Sequence, residues 1–277
     1  MAGIINSIKS RPVLLYFSLA FLFSFGAILA AVGRDGFPVT EGQLPVLIVA
    51  MLLGPSLAAV LAALVSSGKG GVRDLVARLA HWRVDLKWYA VALLTAPLSA
   101  AVVLLILSRF SNEFQPAFAT TDEKAGLVLM WTLSGLMVGF FEELGWTGFA
   151  IPRMLRRSGV FATGLLVGLL WGAWHLLVNL ESDTFSGVLP FLLLIARLFT
   201  WLPAFRILMV WVYQRTESQL VATLMHISLV ATTGIIDPVL AGSRLLVYLL
   251  AKAAVFWILV VVFRVWSGKS PQPAQSQ

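Results

Sequence analysis

Apolar residues in this chain do not alternate with polar ones, nor do they recur at single-stripe helical spacing; they run on for about twenty residues at a time. Eight such stretches stand out: Val13 to Val32, Pro45 to Val65, Trp88 to Leu107, Leu127 to Gly148, Phe161 to Leu180, Val188 to Tyr213, Leu220 to Ile236 and Leu245 to Phe263. A hydrocarbon layer about 30 Å thick needs roughly 20 apolar helical residues to cross it, so each stretch predicts one transmembrane helix. Turn-forming residues separate them, such as Ser66 to Gly71, Ser182 to Gly187, and Asp237 with Pro238. The expected fold is all-α and polytopic, with about eight helices around a polar cavity. A single membrane domain spans 1–277, and its motif-bearing core lies at about 126–236.

Composition agrees. Hydrophobic residues make up 59% and charged residues 12% of the chain, against roughly one quarter charged in an average soluble domain, so no water-exposed surface can be built. The N-terminal apolar run lacks a clean small-residue cleavage site and reads as a retained span. With no cysteine, disulfides, thiolate ligands and thiol nucleophiles are excluded.

The net charge of +7 comes from clusters between apolar runs, which orient membrane spans and do not suggest nucleic acid as a partner. Placing alternate loops on opposite sides collects Lys9, Arg11, Lys69, Arg73, Arg78, Arg83, Lys87, Arg153, Arg156, Arg157, Arg215, Arg264 and Lys269 together. Only Arg34, Arg109, Lys124 and Arg244 lie opposite. Both termini are therefore expected in the cytoplasm. Val72 to Lys87 mixes Leu75, Val76, Leu79 and Trp82 with three arginines, which suits either an amphipathic helix on the inner leaflet or an ordinary loop.

Ionisable groups inside a span cost roughly 2.5 to 3.5 kcal/mol each on insertion scales and call for a partner or a purpose. The fourth span carries Glu142 and Glu143 side by side, the fifth His175 and the seventh His226, whereas His81 falls in a basic loop. Neighbouring helical residues diverge by about 100°, so one carboxylate can face a reaction centre while the other is held by a supporting partner. The alternative is a solvated pair at the interface. Convergence of the three helices on a water-accessible cavity would satisfy all four groups. At about 1.5 Å per residue, Glu142 and His226 lie roughly 15 Å deep and His175 roughly 24 Å, a mismatch that needs a tilted or later-starting fifth helix. Arg197 and Arg206 in the sixth span either snorkel to an interface or, as a buried bidentate guanidinium, pair with Glu143.

A buried carboxylate and imidazole can activate water, and a second histidine can stabilise an oxyanion. Phosphate loops, HExxH and GxSxG are missing from the sequence, which leaves hydrolysis by activated water as the best enzyme class. No cofactor is expected. Zinc is the exception to consider, because Glu142, His175 and His226 form a possible two-histidine, one-carboxylate set.

These residues resemble those of the CAAX prenyl protease and bacteriocin-processing (CPBP) family of intramembrane endopeptidases, also called Abi or glutamic-type. Its first motif, EExxxR followed by a Gly-aromatic pair, is similar to Glu142-Glu143-Leu144-Gly145-Trp146-Thr147-Gly148-Phe149, and its second to Trp171 through His175. The third, HxxxN, resembles His226 through Val230. Gly54 to Ala59, Trp82-Arg83 and Trp88-Tyr89 are also similar to bacterial members. The resemblance implies Glu142 as general base, His175 as its partner, His226 as oxyanion donor and Glu143 as supporting carboxylate, within a conical cavity of eight helices. Thr147 stands where the family has Arg, and Val230 where it has Asn. Arg206 or Arg153 are candidate replacements for the first, and Ser228, Thr232 or Asn179 for the second.

The expectation is a multi-pass endopeptidase of a bacterial inner membrane, with lipid around it and a peptide or membrane-protein substrate. Its rivals are a catalytically silent binding or immunity protein, a metal-dependent hydrolase, and a proton-coupled transporter; for the last, no inverted repeat is visible.

Overall fold

The computed structural model describes residues 10–33, 36, 37 and 39–267, so the charge assignments made for Lys9, Arg34 and Lys269 lie outside the described residues. The described residues are helical, without strands. The order is α1 (Pro12–Val32), α2 (Leu44–Leu79), α3 (Leu86–Leu107), a short α4 (Ala117–Thr120), α5 (Lys124–Gly145), α6 (Ile151–Leu155), α7 (Val160–Trp174), α8 (Val188–Ile195), α9 (Leu202–Thr216), α10 (Gln219–Ile235) and α11 (Gly242–Ser267).

Among the described residues six helical stretches are long and apolar enough to cross a membrane, and α7 and α10 are shorter apolar helices. All eight sequence stretches therefore form apolar helix, in a polytopic membrane protein. Its outer surface is apolar: Leu98, Leu105, Leu129 and Val261 are each at least 59% exposed, which a lipid solvent tolerates and water would not.

Two expected spans are interrupted. A π-helical turn, Trp146–Ala150, joins α5 to α6, and another, Ala196–Thr200, joins α8 to α9. The first runs directly, and the second after Trp201, into a helix whose second residue is proline, Pro152 and Pro203. Proline lacks an N–H and its ring collides with the carbonyl four residues back, so the wider turn accommodates the lost bond. The fifth span is shorter than expected: α7 ends at Trp174, and a 3₁₀ turn, Leu177–Asn179, replaces its last part.

The amphipathic segment is also corrected. Helix α2 continues past a break at Gly68, where φ is 62°, but ends at Leu79, well short of Lys87. Beyond it, the His81 carbonyl accepts the Ser218 hydroxyl and the Trp82 carbonyl accepts that of Tyr89. Those tertiary bonds take carbonyls that a continued helix would have used.

Small residues set the packing, as is usual where lipid removes the hydrophobic drive between helices. Gly164, Gly168 and Gly172, one turn apart on α7, lie against Ile207, Pro203 and Leu198; a Cβ at Gly168 would come within 2.5 Å of the Pro203 Cα. Gly135 and Gly139 admit Ile227 of α10 in the same way. In α2, Ser56 donates to the carbonyl of Phe141 at 2.5 Å, fixing the backbone just before the glutamate pair. The loop contacts separate the two ends of the bundle. Arg78 meets Tyr213 at 3.5 Å at one end, and Arg244 meets Glu113 at 3.5 Å at the other.

Candidate active site

Glu142 and Glu143 end α5 just before the π turn, and both are buried. Their surroundings differ sharply. The Oε1 of Glu143 accepts from Arg206 Nη1 at 2.7 Å and from His226 Nδ1 at 2.8 Å; its Oε2 accepts from the same Nη1 at 3.0 Å and from the Thr147 hydroxyl. Glu143 is thus a fully occupied carboxylate with a cationic partner.

Glu142 has only neutral donors. Its Oε2 accepts the indole N–H of Trp171 at 2.9 Å and that of Trp146 at 3.3 Å. Its own cavity, about 730 Å³, is lined by apolar residues of α2 and α5 together with Ser134 and His175. A second cavity, about 470 Å³, holds His226, Trp171, Asn179 and Val230, and His175 lines both.

Trp171 is the hub. Its N–H holds Glu142, the guanidinium carbon of Arg206 lies 4.1 Å from its ring centroid, and the rings of His226 and His175 pack edge-on at 5.0 and 5.7 Å. The glycine stripe of α7 allows the close approach to α9 that puts Arg206 there. His175 caps α7, where its Nδ1 meets the Trp171 carbonyl at 2.9 Å. The helix stops at His175, starting where the sequence places it, and the three predicted helices do converge.

The hydrogen bonds assign the tautomers. A carbonyl accepts at His175 Nδ1 and a carboxylate at His226 Nδ1, so both rings donate from Nδ1. Among the described residues no group of three His, Asp or Glu side chains could hold a metal.

Arg206 thus occupies the role that the Thr147 departure leaves open, and Thr147 contributes its hydroxyl to the same carboxylate. The expected bidentate fork is corrected: a single nitrogen, Nη1, serves both oxygens, because the guanidinium lies against Trp171. Arg153 is elsewhere, 3.7 Å from the Phe149 ring centroid, and Arg197 pairs with Glu181 at 2.5 Å. For the missing asparagine, Ser228 is ruled out, since its exposed hydroxyl donates to the Leu93 carbonyl. Asn179 lines the His226 cavity but spends Nδ2 on the His175 carbonyl. Thr232 is buried and lines neither cavity.

One cluster escaped the sequence reading. Lys252 of α11, 2% exposed, binds Asp237 at 2.5 Å and lies over the Trp201 ring, while Tyr248 donates to the other Asp237 oxygen. All four line the His226 cavity. The signal was available: a lysine amid the apolar run of the last span, with Asp237 just before it.

A polytopic helical protein with a buried carboxylate pair and two histidines beside intramembrane cavities defines the class. Residues 124–232 match the family model of the type II CAAX prenyl endopeptidases, Rce1-like. The chain is also similar to CAAX prenyl protease 2 of Methanococcus maripaludis, 29% identical over 110 residues, which are 37% of this chain and 39% of that protein. The chain thus spans well under half the length of the curated relative it matches. Both findings support the resemblance to the CPBP family over this segment, which contains Glu142, Glu143, Thr147, His175, Arg206 and His226.

Proposed function

We propose that this chain is an intramembrane endopeptidase that hydrolyses a peptide bond with water activated by Glu142 and His175. One observation carries the reading. Of two adjacent buried carboxylates, Glu143 is saturated by Arg206, His226 and Thr147, whereas Glu142 keeps one oxygen unengaged beside a cavity shared with His175.

In this mechanism Glu142 Oε1 and His175 Nε2 are both acceptors, one for each proton of a single water. Glu142 takes a proton as the water oxygen attacks the substrate carbonyl carbon, and the π electrons move to oxygen. His226, held at Nδ1 by Glu143, is the side chain that faces that oxyanion. Collapse breaks the C–N bond, and Glu142 returns the proton to the leaving amine. Trp146 and Trp171 keep Glu142 oriented, and Arg206 fixes Glu143 and Trp171 together. No step passes through a metal.

The lost asparagine removes one oxyanion donor, worth about 3 kcal/mol of barrier, so turnover is slow relative to a chain that has it. The substrate is a peptide or membrane-protein segment reaching the cavities from the bilayer of a bacterial inner membrane, with both termini of the enzyme in the cytoplasm. Cleavage of a quenched fluorescent peptide library by the purified protein, wild type beside Glu142→Gln and with or without chelator, tests this. Activity that the Gln variant loses and chelation spares is expected. A Gln variant as active as wild type sinks the mechanism, and loss on chelation moves the chemistry to a metal. An unchanged biological effect in a Glu142→Gln strain would favour a silent, partner-binding protein, the reading that Val230 supports.

A further inference from the structure

Helices α5 and α10 pack through glycines, yet their interface contains polar groups without partners. The side-chain amide of Gln219 and the hydroxyl of Thr223 are at most 3% exposed and have no hydrogen-bond partner among the described residues. Buried polar groups in native proteins are almost always bonded, to protein or to ordered water.

Gln219, Thr223 and His226 stand at i, i+4 and i+7, one stripe along α10. Successive turns are about 6 Å apart, too far for a direct hydrogen bond of about 3 Å but the span of two in series through one water. The stripe faces the helix that carries Glu143. A Cβ at Gly148, just after Thr147, would come within 2.7 Å of Gln219 Oε1, and one at Gly139 within 3.2 Å of the Thr223 carbonyl. At the inner end, His226 meets Glu143 and lines a cavity. The outer end is the basic end of the bundle, where Glu217 is exposed two residues from Gln219.

We propose that Gln219 and Thr223 hold a file of bound water between α5 and α10 that hydrates the Glu143–His226 pair from the basic end of the bundle. The file supplies water to the site; that consequence rests on the hydrolase reading, whereas the hydration itself does not.

Water-edited solid-state NMR on the labelled full-length protein in lipid bilayers tests the file without any substrate. Magnetisation from water should reach the Gln219 amide and Thr223 nearly as fast as exposed Glu217. Thr223→Val should slow its arrival at Gln219 and His226 several-fold, and Thr223→Ser should restore it. Build-up at Gln219 and Thr223 as slow as at buried Ala222 and Met225 would overturn the proposal. In the cleavage assay Gln219→Leu should lower kcat several-fold at unchanged KM. A wet stripe with unchanged kcat would refute the supply role. A wet stripe in a wild-type protein that cleaves nothing would count against the hydrolase and leave the hydration standing.

Discussion

Replacing Arg206 by methionine keeps most of the side-chain volume on α9 and removes the charge opposite Glu143. Glu143 and Arg206 are both fully buried, and one nitrogen supplies two of the carboxylate's hydrogen bonds, at 2.7 and 3.0 Å. Only Thr147 and His226 would remain to hold it. Breaking a buried pair by removing one partner costs roughly 3 to 5 kcal/mol, because the other charge stays desolvated. The cation over Trp171 adds about 1 kcal/mol or more. For a chain of this size that corresponds to a fall in Tm on the order of 10 °C. Thermal unfolding in detergent, followed by tryptophan fluorescence, reads it directly. If the uncompensated charge is the cause, Glu143→Gln added to Arg206→Met should return more than half of the loss, whereas Glu143→Gln alone should destabilise. An Arg206→Met protein as stable as wild type, or a double variant no better than the single, would refute the pairing.

Other outcomes follow from the same geometry. Trp171→Phe keeps the ring for Arg206 and both histidines but deletes the N–H that holds Glu142; turnover should drop about 10- to 100-fold, by roughly 1.4 to 2.8 kcal/mol, with little change in Tm, and an unchanged kcat would count against Glu142 as base. Thr147→Arg, which installs the family residue, crowds a second buried cation against Arg206 and should destabilise; combined with Arg206→Met it should recover stability, measured by the same unfolding assay. Gly172→Ala puts a Cβ 2.1 Å from the Leu198 carbonyl and should cost about 1 to 3 kcal/mol through forced separation of α7 from its neighbour. Lys252→Met should destabilise by several kcal/mol, on the scale of a broken buried pair, and Asp237→Asn should relieve part of it.

The apolar runs made the helices legible, because a bilayer demands about twenty such residues whatever packs against them. Glu142, Glu143, His175 and His226 were legible for the converse reason, as costly groups in those runs. What could not be read was partnership. Arg206 is 63 residues from Glu143, and only the glycine stripe of α7 turns it towards the site instead of an interface. Trp171 gave no sign of joining four groups, since an indole in a span usually signifies packing or an interface. The point where α7 stops was equally hidden, as nothing in His175-Leu176-Leu177 breaks a helix.

The two π turns also change how this chain must be compared with others. An extra residue wound into Trp146–Ala150 rotates everything beyond it by about 100° relative to a regular helix. A helical wheel drawn from Glu142 through Pro152 therefore assigns the later residues to the wrong face. A relative that lacks this residue would carry the same carboxylates on a helix whose second half points elsewhere, and an ungapped alignment of the two would pair side chains that never occupy the same position in space.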